Sequence, residues 1–286
     1  MNKIELQELR ASFIAEMLPY LLRFRDATML IKIGGSVAEI EENLDSILAD
    51  IAFLRSAGIR IVVVHGGGKA ITKAIKEMGK EPVFVSGQRV TDEQTMEVVR
   101  RTLNNVVNPY LVKRLLRQEV NARPLHGNWI FGATRIKNPD RGYVGEIVSV
   151  DTRAINEMLN VGIIPVVTPI STGIEDQHLY NVNADLAAAA LAKALKVRKF
   201  ILVSDMPGLL LNINDHSTLL STLHTSSVEK LKSEGVIAGG MLPKIDSCVA
   251  AISNGVEKVH LVDGRIRHSL LLELFTKEGV GTEITA

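Results

Sequence analysis

Cysteine is nearly absent from the chain: Cys248 stands alone among 286 residues. One thiol excludes an internal disulfide and any zinc site built on cysteines. An excess of one charge sign is absent too. The 33 lysines and arginines face 32 aspartates and glutamates, a net charge of +1. A nucleic-acid binder normally shows a basic excess or stripe, so no nucleic-acid partner is expected. Long apolar runs are also missing. Val161–Val167 is broken by Gly162 and Pro165, and Val182–Leu195 carries Asp185 and Lys193. Both fall short of the roughly 18–20 uninterrupted apolar residues of a membrane span. The first residues carry Glu5, Glu8 and Glu16 and no basic segment before a compact apolar stretch. That pattern is neither a secretory signal nor a mitochondrial presequence, and with the lone thiol it leads us to expect a cytoplasmic protein. The seven histidines are scattered, with no two at helical ligand spacing, so no protein-held metal is expected. No elbow sequence supports a serine nucleophile.

What is present suffices for a sizeable core: 46% of residues are apolar and 23% charged. Lys3–Phe24 has a helical stripe of Leu6, Leu9, Phe13, Met17 and Leu21, with Pro19 placed to kink it. Such a helix packs either on its own domain or, as a protruding arm, on another subunit. Strands and helices then alternate. Strand patterns lie at Thr28–Ile33, Arg60–Val64, Asn121–Leu125, Ile163–Thr168, Phe200–Ser204 and Lys258–Leu261. Helical patterns lie at 43–56, 69–78, 92–119 (with a break expected at Pro109), 153–159, 184–195, 226–234, 242–254 and 269–275. Aromatics, glycines and β-formers from Gly127 to Val148 suggest hairpins. This alternation predicts an α/β fold, a three-layer sandwich with a mostly parallel open sheet.

Three glycine-rich turns follow buried strands: Gly34-Gly35-Ser36, Gly66-Gly67-Gly68 and Ser204–Gly208. In open α/β sheets ligands sit at the carboxyl ends of strands, where glycine lets backbone N–H groups approach anionic oxygens. Lys32 precedes the first turn, and three such turns in one chain favour an anion site over turns that merely need glycine. Two standard phosphate motifs fail. A Walker sequence ending at Lys69 would need glycine at 63 and Ser/Thr at 70, where Val63 and Ala70 stand. A dinucleotide fingerprint starting at Gly66 would need glycine at 71, where Ile71 stands. Asn181, Asn183 and Asp185 alternate just before an Ala-rich helix, more polar groups than one helix cap requires. Lys244 follows Gly239-Gly240 at the start of another helix.

Lys32–Ser36, Val64–Gly68, Gly87–Thr91, Tyr180–Asp185, Ser204–Gly208 and Gly239–Lys244 occur in the order of the amino acid kinase superfamily. From about Met17 to Ile284 the chain resembles the acetylglutamate kinases within it, through Arg89-Val90-Thr91 and Asn181–Asp185. The resemblance implies a carbamate kinase-like fold and transfer of the ATP γ-phosphoryl group to the γ-carboxylate of N-acetyl-L-glutamate. It implies that Lys32 and Lys244 stabilise charge on the transferring group and that Asp185 holds both lysines. Gly34 and Gly35 would supply backbone donors to phosphoryl oxygens, and Gly67 and Gly68 to the acceptor. Arg89 and Asn181 would bind the acceptor, and Ser204, Asp205 and Gly240 the nucleotide. ATP would bring Mg²⁺ on its own phosphates. Two segments depart from the family pattern: Asn105–Asn108 replaces a Gly-Lys-Val-Asn, and His126–Trp129 a Ser-Gly-Lys-like stretch near the acceptor lid.

The resemblance also implies an organisation. Residues 1–24 would be an oligomerisation arm, 25–195 an acceptor half and 196–286 a nucleotide half. Arginine-sensitive members link three dimers into a hexamer through a kinked N-terminal helix. On that pattern Tyr20, His268, Glu273, Glu278 and Gly279 are the residues expected around an arginine effector.

Overall fold

The computed structural model describes residues 2–85 and 87–286. Along them run fourteen strands: β1 (Thr28–Ile33), β2 (Arg60–His65), β3 (Phe84–Val85), β4 (Gln88–Arg89), β5 (Ala122–Leu125), β6 (Phe131–Arg135), β7 (Gly145–Val150), β8 (Ile164–Val167), β9 (Ile170–Gly173), β10 (Leu179–Asn181), β11 (Lys199–Ser204), β12 (Thr222–His224), β13 (Lys258–Asp263) and β14 (Thr282–Thr285). The α-helices are α1 (Lys3–Phe24), α2 (Glu41–Ser56), α3 (Gly68–Glu77), α4 (Glu93–Thr102), α5 (Asn108–Leu116), α6 (Arg153–Asn160), α7 (Ala184–Leu195), α8 (Val228–Ser233), α9 (Met241–Ser253) and α10 (Ser269–Phe275).

Eight strands form the main sheet in the order β12-β14-β13-β11-β1-β2-β8-β5. All its pairings are parallel except β13 with β14. Alternate residues of each central strand enter different cores. Leu30, Val62 and Leu202 pack with α7 and α9, whereas Ile31, Val63 and Ile201 pack with α2, α5 and α10. A strand buried on both faces must be apolar throughout, which is why these segments read as continuous runs. The layers are thus helix, sheet, helix. A smaller sheet, β10-β9-β6-β7, and the β3-β4 hairpin stand over one end. No helix among the described residues is long and apolar enough to cross a membrane.

Two expectations about helices change. The 92–119 pattern does not break at Pro109. A π-helical segment, Leu103–Val107, joins α4 to α5, and Asn108 N–H donates to Leu103 O five residues back. Proline has no N–H for the α ladder, and the wider turn just before it absorbs the mismatch within one helical run. At the N-terminus, α1 continues through Pro19 from an Asn2/Glu5 capping box. It does not pack on its own domain along its length. Ile14 is 71% exposed and Phe13 47%, and Met17, Tyr20, Leu21 and Phe24 alone reach the core.

Candidate active site at the carboxyl ends of the central strands

Sheet order places three glycine-rich turns side by side, because β11, β1 and β2 are neighbours. The turns are tied together: Gly34 N–H donates to Val203 O at 2.8 Å and Gly66 N–H to Ile33 O at 2.9 Å. A Cβ on Gly35 would lie 3.3 Å from Gly68 N and 3.6 Å from Gly67 N. The first two turns therefore face each other at a distance that backbone alone can occupy. Gly34 meets the third turn, within van der Waals reach of Ser204 Cα.

Lys32 shares the strand face of Leu30, so its side chain runs towards α7. Its Nζ lies 2.7 Å from Asp185 Oδ1, off the hydrogen-bonding direction, so the contact is ionic. Lys244 Nζ, from the first turns of α9, donates to Asp185 Oδ2 at 3.1 Å. Asp185 itself is fixed by the start of α7, where Asn183 Oδ1 accepts from Asp185 N–H at 2.8 Å and Leu186 N–H at 3.3 Å. Burial pushes the Asp185 carboxyl up, but the two ammonium groups outweigh it and hold the pKa at about 2. One carboxylate thus holds two cations, one from β1 and one from α9, at the positive end of a helix.

Beside this cluster lies a cavity of about 230 Å³, bordered by Gly67, Gly68, Arg89, Leu103, Val144 and Asn181. Arg89 is buried between the β3-β4 hairpin and α3. Its Nη2 donates to Gly68 O and to Thr72 Oγ1, both at 2.8 Å, and its guanidinium stacks 4.6 Å over the Phe84 ring. Nη1 is buried with no partner among the described residues, a donor left for an anionic guest. Burial lowers the Arg89 pKa from its ordinary value. Asn181 Nδ2 donates to Thr91 Oγ1 at 3.3 Å, and Thr91 in turn donates to Arg89 O at 2.9 Å. A larger cleft of about 690 Å³, between α2, α5 and the residues before α10, has arginines but neither the glycine turns nor the lysine pair.

Of the residues expected at a site, the fold gathers Lys32, Gly34, Gly35, Gly67, Gly68, Arg89, Asn181, Asp185 and Lys244. Ser204 ends β11, Asp205 follows it and Gly240 caps α9, and none of the three borders the cavity. The residues expected near an effector divide. Tyr20 stacks edge-on against Phe275 at 6.2 Å, and Glu278 is exposed in the loop after α10. Glu273 points inward instead: Oε1 accepts from His260 Nδ1 at 2.7 Å, and Oε2 accepts from Val280 and Gly281 N–H at 2.9 Å. Gly279 has φ +65°, and a Cβ there would lie 2.6 Å from Glu273 Oε2. His268 Nδ1 turns away to Asp50 Oδ1 at 2.7 Å. Thr72, Thr91, His65 and Asn108 were not expected as site residues, and the structure ties them to it: Thr72 to Arg89, Thr91 to Arg89 and Asn181, His65 to Gly66 and Asn108 to His65. Thr91, His65 and Asn108 lay within or beside segments the sequence singled out, whereas Thr72 carried no local signal.

Residues 27–263 match the amino acid kinase family model, which fixes the class of protein. Among curated relatives, the acetylglutamate kinase of Thermoanaerobacter sp. (strain X514) is 43% identical over 279 residues, 96% of this chain and 93% of its own. That of Archaeoglobus fulgidus is 42% identical over 283 residues, 95% of this chain and 97% of its own. The chain belongs to the amino acid kinase family and, within it, to the acetylglutamate kinases. Among solved structures, the N-acetylglutamate synthase of Neisseria gonorrhoeae complexed with coenzyme A and N-acetyl-glutamate superposes with a TM-score of 0.85 at 28% identity. This chain is covered over 96% of its length and spans 63% of that synthase chain. Giardia carbamate kinase, at 13% identity and TM-score 0.67, shares the fold.

Proposed function

We propose that the protein phosphorylates the γ-carboxylate of N-acetyl-L-glutamate with ATP, giving ADP and the acyl phosphate. The observation that carries this reading is the Lys32–Asp185–Lys244 cluster standing beside the glycine turns and at the edge of a cavity with an arginine nitrogen unpartnered among the described residues. A γ-carboxylate is ionised near pH 7 and needs no general base. One of its oxygens bonds to the γ-phosphorus as the bond to the bridging oxygen of ADP breaks. The site's task is to position the groups and to neutralise charge on the transferring oxygens. Lys32 and Lys244 supply that charge, and Asp185 keeps two like charges in place. Arg89 Nη1 pairs with a carboxylate of the acceptor, Asn181 orients it, and Ser204, Asp205 and Gly240 hold the nucleotide. Both lysines engage Asp185, and Asp205 is assigned to the nucleotide, so Mg²⁺ is left to the phosphate oxygens. On this reading residues 25–195 form the acceptor half and 196–286 the nucleotide half.

The intact cluster weighs against a regulatory subunit that kept only the fold. Purified protein given ATP, Mg²⁺, N-acetyl-L-glutamate and hydroxylamine should form a hydroxamate by capture of the acyl phosphate. A panel of acetylated, succinylated and free glutamate and aspartate assigns the acyl group. Absence of hydroxamate with every member of the panel rejects the reading.

We also propose regulation by arginine in a ring of three dimers joined by α1. The exposed stripe of this helix supports the first part. The approach of Tyr20 and the loop carrying Glu278 and Gly279 to α10 supports the second.

A further inference from the structure

His65 ends β2 and is wholly buried at the point where the chain enters the Gly66–Gly68 turn. Its ring makes two contacts. Nδ1 lies 2.9 Å from Gly66 O, and Nε2 lies 3.0 Å from Asn108 Nδ2. A carbonyl oxygen only accepts, so Nδ1 carries the proton and donates to Gly66 O. Nε2 is then a bare lone pair and accepts from the Asn108 amide. The second hydrogen of that amide goes to Val166 O at 2.8 Å on β8. Flipping Asn108 would set its oxygen against the Val166 carbonyl, two acceptors face to face, so the amide orientation is fixed as well. Asn108 is the first residue of α5, directly after the π-helical segment. Leu103 of that segment fills the space that a Cβ on Gly67 would need, with Cδ2 2.5 Å from it.

The consequence lies in the peptide between Gly66 and Gly67. A trans peptide points its C=O and N–H in opposite directions. Holding Gly66 O against the His65 ring therefore turns Gly67 N–H the other way. Gly67 N–H meets no acceptor among the described residues, and this nitrogen faces the Gly35 turn at the edge of the cavity. A glycine peptide left free would rotate between several states, and a donor in the wrong state stabilises nothing in the transition state.

We propose that His65, held by Asn108, is a positioning residue for phosphoryl transfer, orienting the Gly67 amide donor through the Gly66 carbonyl. The inference rests on the kinase reading above. His65 touches no reacting atom. The oriented amide meets charge that grows on the transferring group in the transition state, so its effect belongs in kcat rather than in the binding of either substrate.

The test uses the full chain, steady-state kinetics with hydroxylamine capture, and thermal melts. His65→Leu removes both ring nitrogens, and His65→Asn returns an N–H donor close to the place of Nδ1. Misorienting one preorganised donor should lower kcat of His65→Leu about tenfold to a hundredfold. Both KM values should stay within about threefold of the parent. His65→Asn should recover most of the loss. Asn108→Leu should lower kcat in the same way, and the double variant His65→Leu/Asn108→Leu should be no worse than the weaker single one. Parental kcat in folded His65→Leu overturns the inference, as does a loss that appears in KM alone. Independent, multiplying losses at 65 and 108 overturn it too. If His65→Leu does not fold, His65→Asn with Asn108→Leu decides: the first near parental kcat and the second reduced supports the inference, and the reverse refutes it. A parental chain that yields no hydroxamate fails differently, since the reaction itself is then absent and both readings fall.

Discussion

Lys32 and Lys244 approach one carboxylate from different elements, and among the described residues neither makes a hydrogen bond to any other side chain. Their cost in mutual repulsion is offset by Asp185, and their use lies in the charge they offer to phosphoryl oxygens. Lys32→Ala and Lys244→Ala should each lose at least about 100-fold in kcat with the fold intact. Circular dichroism together with turnover checks this, and parental turnover in both would remove them from the chemistry. Arg89 differs, since Nη2 makes two bonds to the protein and Nη1 has no partner among the described residues. Arg89→Lys keeps the charge but loses the planar fork, so KM for the acceptor should rise far more than KM for ATP. Equal changes would place Arg89 outside the acceptor pocket. His65 gives a pH dependence. Unfolding lets its imidazole titrate near 6.5, whereas burial holds it down at about 4 in the fold. Between these values the unfolded chain binds a proton that the folded chain refuses, so stability falls as pH drops through that window. His65→Asn lacks this titration. Its melting temperature should fall less than the parent's between about pH 7 and about pH 5. An equal fall would mean that His65 titrates normally.

At the scale of elements, the central strands and long helices were legible because their burial is periodic or continuous. Lys3–Phe24, Ala184–Leu195 and Ser269–Phe275 have the bounds that pattern and caps suggest. The short strands β9, β10, β12 and β14 were not legible. Each has three or four residues, too few for a period, and each forms only because a neighbour offers a ladder. The site was readable where it is made of glycines and lone charges before helices. It was not readable where a residue from a distant element fixes another, as Asn108 does for His65. Nor could sequence show that Pro109 would be met by a π turn whose Leu103 closes on Gly67. That contact yields a prediction. Gly67→Ala should lower kcat by pushing Leu103 aside and shifting the turn, and Leu103→Ala in the same chain should restore much of it. Gly68→Ala, with open space around its Cβ, should leave thermal stability near parental. The pair of melts and the double-variant kinetics check this, and a Gly67→Ala loss untouched by Leu103→Ala would assign the effect to the backbone instead.

For the whole molecule, the feature that a single chain leaves unresolved is α1. Ile4, Leu9, Phe13, Ile14, Leu18 and Leu22 are all exposed large apolar residues on one helix. Exposed apolar residues in this number along one helix in water mark a contact surface, and a second copy of the same helix supplies matching chemistry. The last turns are bound differently. Tyr20 and Phe24 pack on Phe275 of α10, and Arg198 Nη1 donates to Arg23 O at 2.7 Å. A shift of the arm is thus felt at α10 and at the start of β11, and through Glu273 at the loop that carries Glu278 and Gly279. Two arrangements of the ring, differing in the angle of the arms, would present this loop differently, and an effector binding one of them better would shift the balance. Truncation must respect the same division. Removing residues 1–24 would strip Phe24 from the core, whereas removing 1–16 takes the exposed stripe and leaves Met17, Tyr20, Leu21 and Phe24 in place. We expect the full chain to be a hexamer by light scattering and to lose activity in L-arginine at about millimolar concentration or below. The chain lacking 1–16 should be a dimer with near-parental kcat and weakened inhibition. A full-length dimer indifferent to arginine would reject the ring and its effector while leaving the phosphotransfer site as described. A truncated chain that stays hexameric would instead place the ring contacts outside α1.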